Sequence, residues 1–290
     1  MIVDRLTGKK FEEDVYCGFF LQLLYAKNPA SRFFKNLIAR LPIFSKLIGS
    51  YQSLPWTKLS IAPFVKKYAL DASEFEKQVE EFTSFNDFFV RKLKPKARPI
   101  EGEICMPADG RYLAFADISK CEGFFVKGQK FSLAALLQDA ELAGAYQNGS
   151  LVIARLAPVD YHRFHFPLAC TPRKASLING PLFSVNPLAL KQNIHRLTEN
   201  KRMITRLETK VGPVFMIEVG ATNVGSIHQT YVADKAVLEG SEKGFFSFGG
   251  SMLMLLFLPG SVELDHMLIA NSKQHLETRC LMGQFLARPR

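Results

Sequence analysis

The chain has 290 residues, 48% of them hydrophobic, so it can form one large domain with a substantial core or one domain with an extension. Its formal net charge is +10 at pH 7. This charge is compatible with nucleic acid, an anionic membrane surface or an acidic substrate as partner, and also with a solvated basic surface. The five cysteines are scattered, with no Cys-x-x-Cys pair and no histidine at metal-ligand spacing. They argue against a disulfide framework and a metal site, and they indicate a reducing compartment.

No segment is apolar over the roughly 20 residues that a transmembrane helix needs. The best apolar stretches are residues 15–26 and 252–259. Three consecutive acidic residues, Glu12, Glu13 and Asp14, lie where a signal peptide would lead from basic residues into an apolar run. Any contact with a membrane is therefore expected to be interfacial.

Residues 11–83 have a helical pattern. One helix is predicted over 11–27 and a second over 31–50. In the second, bulky apolar side chains are punctuated by basic ones, which suits a helix lying among lipid headgroups but also a helix packed on the protein core. Pro42 is expected to kink or split this helix.

Two further helix starts precede a basic segment. Asp71 can cap a helix that runs through Glu81, and Ser84 has the residue type and context of another N-cap. Residues 91–99 that follow are basic and contain two prolines, so they cannot form a long helix. A domain seam is predicted near this segment.

From about residue 100 the pattern changes to short β-like runs between glycine and proline turns. Strands are predicted over residues 113–116, 151–156, 214–219, 236–238 and 252–258, and helices over 132–142 and 187–197. The predicted fold class is α+β, with a helical N-terminal segment followed by a β-rich core. Neither a Gly-x-Gly-x-x-Gly nor a Walker loop opens a helix, so nucleotide binding has little support.

Two short segments carry titratable side chains in unusual surroundings. Asp109 lies in a Pro-Ala-Asp-Gly turn that can aim its carboxylate, although the same sequence suits an ordinary Asx turn. His162 and His165 lie within residues 161–167, and two imidazoles in one heptad are costly to bury unless they are hydrogen-bonded. The histidines are therefore candidates for function as well as for structure.

A third segment, Gly249-Gly250-Ser251, places a hydroxyl directly after two glycines and before an apolar run. The glycines allow unusual backbone conformations and leave the carbonyl of Gly250 unshielded, although a tight turn between strands has the same sequence. Together the three segments supply a carboxylate, an imidazole and a hydroxyl, the set that activates a serine. Such a set is spatial, so only the fold decides whether its members meet.

Five segments together resemble the bacterial phosphatidylserine decarboxylase family, in that family's order and across most of residues 84–258. They are residues 86–99 (NDFFVRKLKPKARP), 107–110 (PADG), 161–165 (YHRFH), 219–227 (VGATNVGSI) and 243–251 (KGFFSFGGS). Each motif is weak alone, whereas five in order are highly specific. The N-terminal segment and residues 276–284 (LETRCLMGQ) are similar to the chlamydial-type subgroup.

The resemblance implies a pyruvoyl enzyme that needs no added cofactor. By the family pattern, Asp109, His165 and Ser251 form a self-cleavage triad. The Ser251 hydroxyl attacks the Gly250 carbonyl, His165 acts as base and Asp109 orients His165. Ser251 then becomes the covalent pyruvoyl group.

The resemblance also implies the reaction and the partner. The amine of phosphatidylserine forms a Schiff base with the pyruvoyl group, carbon dioxide leaves, and phosphatidylethanolamine is released. His162 is assigned as the acid that protonates the resulting carbanion. The implied partner is phosphatidylserine in an anionic membrane surface, with residues 31–50 as the docking segment, and no nucleic acid is expected.

Two regions are predicted on this basis. Residues 1–85 form a helical membrane-associating region, and residues 86–290 form the catalytic decarboxylase domain. Self-cleavage divides the precursor into a β chain (1–250) and an α chain (251–290). The enzyme is expected to be peripheral, at the cytoplasmic face of the bacterial cell membrane, and a homodimer is compatible with the resemblance.

One position departs from the family pattern. Met252 stands where the family usually has threonine, and methionine cannot donate a hydrogen bond beside the attack site. The alternative is therefore an unprocessed, catalytically silent lipid-binding homologue. A serine hydrolase has less support because no Gly-x-Ser-x-Gly motif surrounds Ser251, and nucleic-acid binding has the least because no reading motif is present.

Overall fold

The computed structural model describes residues 1–13, 39, 42–120, 132–185, 196–221, 226–247, 249 and 251–290. Most of the helices predicted over 11–27 and 187–197, and the first part of the one over 31–50, lie outside the described residues. The described part combines helices with a large β-sheet, and the predicted α+β class is confirmed.

The strands of the described residues are β1 (Ile2–Asp4), β2 (Lys10–Phe11), β3 (Ile104–Cys105), β4 (Gly110–Phe115), β5 (Ser150–Leu156), β6 (Arg163–His165), β7 (Thr171–Pro172), β8 (Ser176–Ile178), β9 (Arg202–Glu208), β10 (Val214–Gly220), β11 (Ile227–Gln229), β12 (Glu242–Phe246), β13 (Ser251–Phe257), β14 (Val262–Leu264), β15 (Glu277–Cys280) and β16 (Phe285–Pro289). The α-helices are α1 (Pro42–Gln52), α2 (Ile61–Lys67), α3 (Phe85–Phe89), α4 (Leu133–Leu137), α5 (Ala140–Tyr146), α6 (Arg196–Glu199) and α7 (His266–Lys273).

The helix starts predicted at Ser84 and Ser132 are observed, because short polar side chains satisfy free amides at these positions. The helix predicted from Asp71 through Glu81 is wrong, since Asp71 caps only a 3-10 turn over Ala72–Glu74 and a second such turn covers Val79–Glu81. The side chains of Asp71, Ser84 and Ser132 each accept a hydrogen bond from a backbone N–H two or three residues on. The single helix predicted over 132–142 is two helices, since Gln138 takes a left-handed conformation with φ 54°. Pro42 is the first residue of α1 rather than a kink within it, a position that proline favours.

Four of the five predicted strands correspond to β4, β5, β10 and β13. The prediction over 236–238 is wrong, since Val237 forms only an isolated bridge with Cys170. The large sheet has the order β2-β1-β15-β4-β5-β13-β10-β9-β7, and β8 also pairs with β9. All seven residues of β13 are buried, and the strand pairs antiparallel with β5 on one side and β10 on the other.

The two faces of the large sheet are covered differently. On one face, Leu253 and Leu255 of β13 share an apolar cluster with Phe164 and Phe246 of the smaller sheet β11-β12-β6. On the other face, alternate residues of β13 pack against helices α4 and α5. Ser251 is on the same face as Leu253, because side chains alternate along a strand. The catalytic candidates therefore lie between the two sheets.

The first residues of the chain differ from the helical region predicted over 1–85. Strand β1 pairs in parallel with β15, and β2 pairs with β1, so this end of the chain extends the large sheet. The pairing joins residues more than 270 positions apart, and no local sequence pattern predicts it. Within the described part of residues 1–85, α1 and α2 confirm α-helical character for residues 42–52 and 61–67.

Helices α2 and α3 enclose a cluster of phenylalanines. The ring of Phe88 is fully buried and contacts Phe64, Phe75 and Phe82 edge-on, with centroid distances of 5.8, 5.9 and 5.5 Å. Edge-to-face contacts of this kind are favourable. The phenylalanines of this cluster therefore form core rather than lipid-facing surface. In the described part of the chain, no helix is long and apolar enough to cross a membrane.

We predict that Phe88→Ala lowers the free energy of unfolding by about 3–5 kcal/mol, because it leaves a cavity at the centre of this cluster. Chemical denaturation followed by circular dichroism measures the change. Leu59→Ala is the control, since Leu59 is 75% exposed, and it should change the stability by less than about 0.5 kcal/mol. A loss below about 1 kcal/mol for Phe88→Ala would contradict the packing described.

Candidate active site

Ser251 is the first residue of β13 and is fully buried. In register it pairs with Gly220 of β10 and with Leu156 of β5. Two neighbouring strands thus fix its backbone, while Gly249, with φ 137°, provides a conformation that other residues rarely adopt. The serine is held rigidly on one side of the Gly250–Ser251 bond.

Met252, the departure from the family pattern, faces away from this site. Its side chain is buried in the cluster on the opposite face of the sheet, together with Met254 and Leu256. A threonine hydroxyl at this position would point into the same apolar cluster. The absence of that hydroxyl therefore gives no geometric reason for a defect at Ser251.

The imidazole of His162 contacts the serine. Its Nδ1 is 3.4 Å from Ser251 Oγ, and its Nε2 is 3.0 Å from the carbonyl oxygen of Ala157. Since a carbonyl only accepts, Nε2 carries the proton and Nδ1 presents its lone pair to the serine hydroxyl. The ring also stacks on Phe89 of α3, with a centroid distance of 3.8 Å.

Burial lowers the pKa of His162 to about 3, although the nearby Asp160 carboxylate opposes the shift. The positive charges of Arg91 and Arg111 lower it further. The ring is therefore neutral at physiological pH. It is a fully buried, neutral imidazole whose Nδ1 lone pair faces the Ser251 hydroxyl.

Asp160 shapes the turn that holds His162. Its carboxylate accepts a 2.6 Å hydrogen bond from the amide of Ala157, and its own amide donates to the Ala157 carbonyl at 2.8 Å. Arg111 forms a buried ion pair with the same carboxylate, and Arg91 donates to the Asp160 carbonyl. Burial alone would raise the pKa of Asp160, but the Arg111 charge and the Ala157 amide hold it below its usual value.

A row of ion pairs extends from Arg111 on the side of β13 that Met252 faces. Glu13 lies 2.7 Å from Arg111 Nε and 2.8 Å from Arg155 Nη1, and Arg155 also pairs with Glu277 at 2.7 Å. Arg155 is in register with Met252 of β13. These ion pairs connect the turn at Asp160 with both ends of the chain.

His165, the predicted base, lies on β6 with both ring nitrogens occupied. Nδ1–H donates to the Gly240 carbonyl at 2.9 Å, and Nε2 accepts from the Tyr161 hydroxyl at 3.1 Å. The His165 amide donates to the Pro107 carbonyl at 2.8 Å. Burial lowers the pKa of this histidine, although the Gly240 bond and the Asp109 charge oppose the shift.

Asp109, the predicted orienting carboxylate, is bound by Arg98. The guanidinium donates to Oδ1 at 3.0 Å and to Oδ2 at 2.7 Å, and the Met282 amide donates to Oδ1 at 2.8 Å. Tyr112 braces the same turn, because its hydroxyl donates to the Ala108 carbonyl at 2.6 Å. The Asp109 carboxylate is thus held by Arg98, which precedes it in the chain, and by the amide of Met282 near the C-terminus.

The fold brings the three predicted segments to one region but not into the predicted chain of hydrogen bonds. Among the described residues, none of the hydrogen bonds joins Asp109 to His165 or His165 to Ser251. The contact with the serine is made by His162 instead. No group of three or more potential metal ligands occurs within the described ranges.

Several residues that support the site did not emerge from the sequence analysis. Asp160 directly precedes the YHRFH segment, and Phe89 and Arg91 lie within the segment NDFFVRKLKPKARP, so the motifs contained them without revealing a role. Arg111 follows the Pro-Ala-Asp-Gly turn in the same way. Only the tertiary fold shows that these four side chains surround His162 and its turn.

Comparison with known proteins assigns the chain to a family. The family model for phosphatidylserine decarboxylase matches residues 85–288. The phosphatidylserine decarboxylase proenzyme of Chlamydia pneumoniae is 49% identical over 290 residues, covering 99% of this chain and 96% of the relative. The proenzyme of Chlamydia muridarum is 50% identical over 295 residues, covering 99% and 97%. The chain therefore belongs to the phosphatidylserine decarboxylase family.

Proposed function

We propose that this chain converts phosphatidylserine to phosphatidylethanolamine after cleaving itself between Gly250 and Ser251. The observation that carries the proposal is the buried contact between Ser251 Oγ and a neutral imidazole, at the start of a strand fixed on both sides. The name proenzyme that its relatives bear supports processing of a precursor.

The cleavage is an internal acyl shift followed by an elimination. The Ser251 oxygen attacks the Gly250 carbonyl carbon while a histidine takes the hydroxyl proton, and the amide becomes an ester. Loss of the Ser251 α-proton then expels the Gly250 carboxylate, and water replaces nitrogen at residue 251 with release of ammonia. The products are a β chain of residues 1–250 and an α chain of residues 251–290.

Two imidazoles compete for the role of base in this shift. The resemblance assigns it to His165, whereas His162 makes the contact with Ser251. A pKa of about 3 makes His162 a weak proton acceptor, because the strength of a general base falls with its pKa. We keep His165 as the base on the family pattern; burial lowers its pKa as well, but its Nε2 is unprotonated and accepts from the Tyr161 hydroxyl.

His162 then acts in decarboxylation. Its Nδ1 lies within reach of residue 251, where the substrate amine must bind. We assign it the delivery of the proton that the carbon takes up when carbon dioxide leaves, a proton that comes in the end from solvent because decarboxylation consumes one. An imidazolium with so low a pKa does not retain its proton, so the transfer is completed within one turnover.

The residues around Ser251 fit the pyruvoyl group that the family implies. The group is made from residue 251 itself, which is fully buried at the start of β13 and faces an imidazole. When formed, it supplies the electron sink for decarboxylation. Residue 251 is shielded from bulk water by its place in the buried strand β13, and Phe89 covers one side of His162.

A basic and apolar surface on α1, α2 and the turn between them is the proposed lipid-docking face. Leu47, Tyr51, Trp56 and Leu59 are exposed there by 56–75%. Residues 15–70 contain eight lysines and arginines and no aspartate or glutamate. Large exposed apolar side chains among positive charges suit an anionic bilayer, so the enzyme is proposed to be peripheral, at the cytoplasmic face of the cell membrane.

The second candidate function is the silent lipid-binding homologue. Met252 motivated it, and that residue points to the opposite face of the sheet from Ser251. The active enzyme is therefore favoured.

We predict that the purified wild-type protein is two chains, residues 1–250 and 251–290, because Ser251 is poised for the acyl shift. Intact mass spectrometry under denaturing conditions measures them. Ser251→Ala should remain one chain of 32.6 kDa. Ser247→Ala, a control four residues upstream, should be processed normally. A single 32.6 kDa species in the wild type would instead support the silent homologue.

We predict that His162→Ala is still processed but decarboxylates roughly 10²- to 10⁴-fold more slowly, since it lacks the proton carrier at residue 251. His165→Ala should remain a single chain. Mass spectrometry and release of carbon dioxide from phosphatidylserine separate the two steps, with His228→Ala as the control. If His162→Ala stays uncleaved while folded, its contact with Ser251 is that of the base, and the two roles must be exchanged.

We predict that Trp56→Gln and Leu59→Gln each weaken binding to phosphatidylserine vesicles by roughly fivefold, corresponding to about 1 kcal/mol of lost apolar burial. Vesicle sedimentation measures the affinity. Leu238→Gln is the matched control, because Leu238 is 72% exposed and lies on another part of the fold. If Trp56→Gln and Leu59→Gln weaken binding no more than Leu238→Gln does, the docking face lies elsewhere.

A further inference from the structure

A fully buried ion pair lies apart from the residues used so far. Lys243 Nζ is 2.8 Å from Glu218 Oε1, and both side chains have 0% exposure. Gln229 closes the ring, because its Oε1 accepts from Lys243 at 2.7 Å and its Nε2 donates to Glu218 Oε2 at 2.8 Å. We name Glu218, Gln229 and Lys243 the inter-sheet clamp. Its members satisfy one another inside an otherwise apolar layer.

The inter-sheet clamp joins the sheet that carries the serine to the sheet that carries a histidine. Glu218 lies on β10, two residues before Gly220, which pairs with Ser251. Glu218 and Ser251 therefore face the same side of the large sheet. Lys243 lies on β12, which pairs with β6, the strand of His165. The hydrogen bonds of the clamp thus span the layer in which the chemistry takes place.

The backbone at Lys243 is shaped for this contact. Glu242 pairs with His165 and Gly244 with Phe164, so Lys243 is an additional residue in the β12 ladder. A bulge of this kind redirects a side chain, and bulges are frequent beside active sites. A Cβ on Gly244 would lie 2.7 Å from the Phe164 ring, so only glycine allows the strand to approach so closely.

The ion pair has no evident advantage for stability alone. Burial raises the pKa of Glu218 and lowers the pKa of Lys243, and the charge of each partner opposes the shift of the other. Removing charges from water is costly, and well-packed apolar residues of similar volume are often as stabilising or more so. Directional hydrogen bonds, in contrast, fix the separation and alignment of the two sheets, which apolar contacts specify less strictly.

The place of β12 in the chain gives the clamp a second role. Strand β12 ends at Phe246 and leads directly to the cleavage point, and β13 begins at Ser251. Once the bond between 250 and 251 is broken, the chain no longer connects these two strands. All three members of the clamp belong to residues 1–250, and they still tie β12 to β10, the neighbour of β13.

We propose that Glu218, Gln229 and Lys243 are positioning residues that hold Ser251 and the histidines in register before and after self-cleavage. The proposal rests on the proposed function, because it assumes the cut between residues 250 and 251. The members of the clamp act through the strands they join, and none of them is assigned a direct part in the chemistry.

The test replaces the ion pair with apolar residues of similar volume, in the double variant Glu218→Leu/Lys243→Met. We expect a melting temperature within a few degrees of the wild type. Self-cleavage should be slower by roughly 10- to 100-fold, since small displacements of reacting groups have effects of this size. In processed protein, kcat should fall with KM unchanged. Arg173→Gln, which breaks an exposed ion pair with Glu208, is the control and should change neither step.

A second readout does not depend on processing. In the uncleavable Ser251→Ala background, hydrogen exchange of the β12 amides should be at least tenfold faster with the double substitution. A folded double variant that exchanges and processes like the wild type overturns the proposal, as does faster exchange with normal processing. If the wild type itself is never cleaved, the proposed function fails. Independently of that result, β12 amides that exchange equally fast with and without the double substitution overturn the clamp. Gln229→Leu, which removes one member of the clamp, carries the same test should the double variant not fold.

Discussion

The site depends on the pairing of β13 between β5 and β10. Seven buried residues with neighbours on both sides fix the strand, and Ser251 is its first residue. Ser251, the proposed reacting residue, is thus held by the sheet, whereas the residues before it include two glycines. A rigid nucleophile next to a permissive backbone suits an internal attack on the preceding carbonyl, because one partner stays in place while the other adapts.

The same pairing explains how a chain can be divided without losing its fold. The segment 251–290 contributes β13 to the middle of the large sheet and β15 between β1 and β4. Side-chain contacts across the division reinforce this arrangement, among them the ion pair of Arg155 with Glu277 and the bond from the Met282 amide to Asp109. The proposed α chain is therefore interleaved with the proposed β chain, and none of these contacts depends on the peptide bond between residues 250 and 251.

Local signals in the sequence predict much of the β core. Residues 252–258 are a continuous apolar run, and residues 151–156 are apolar except for Arg155. Short runs of this kind between turn residues are typical of buried strands. The caps at Ser84 and Ser132 are also local, since each needs only a hydroxyl and an amide three residues on. By contrast, the pairing of β1 with β15 depends on residues at opposite ends of the chain.

The candidate site was predictable in its residue types but not in its contacts. Asp109, the two histidines and Ser251 do lie in one region, yet the spacing of two imidazoles three positions apart does not tell which one faces the serine. That choice depends on the turn formed by Asp160 and on the ring of Phe89 behind His162. Glu218 was not foreseen either, because a single carboxylate within an apolar strand shows its purpose only when Lys243 lies opposite.

Helix α3 links the proposed membrane surface to the chemistry. The predicted boundary between residues 85 and 86 falls within this helix, so the two regions share it. Phe85 and Phe88 belong to the phenylalanine cluster beneath α2, and the Phe85 amide donates to Thr57 at 2.9 Å, beside the exposed Trp56. Phe89, at the end of the same five-residue helix, stacks on His162. A helix of five residues is only about 7.5 Å long, so α3 connects the proposed lipid-facing surface over a short distance to the Phe89 ring that stacks on His162. This short distance suits a substrate whose acyl chains stay in the bilayer while its headgroup reaches a buried site.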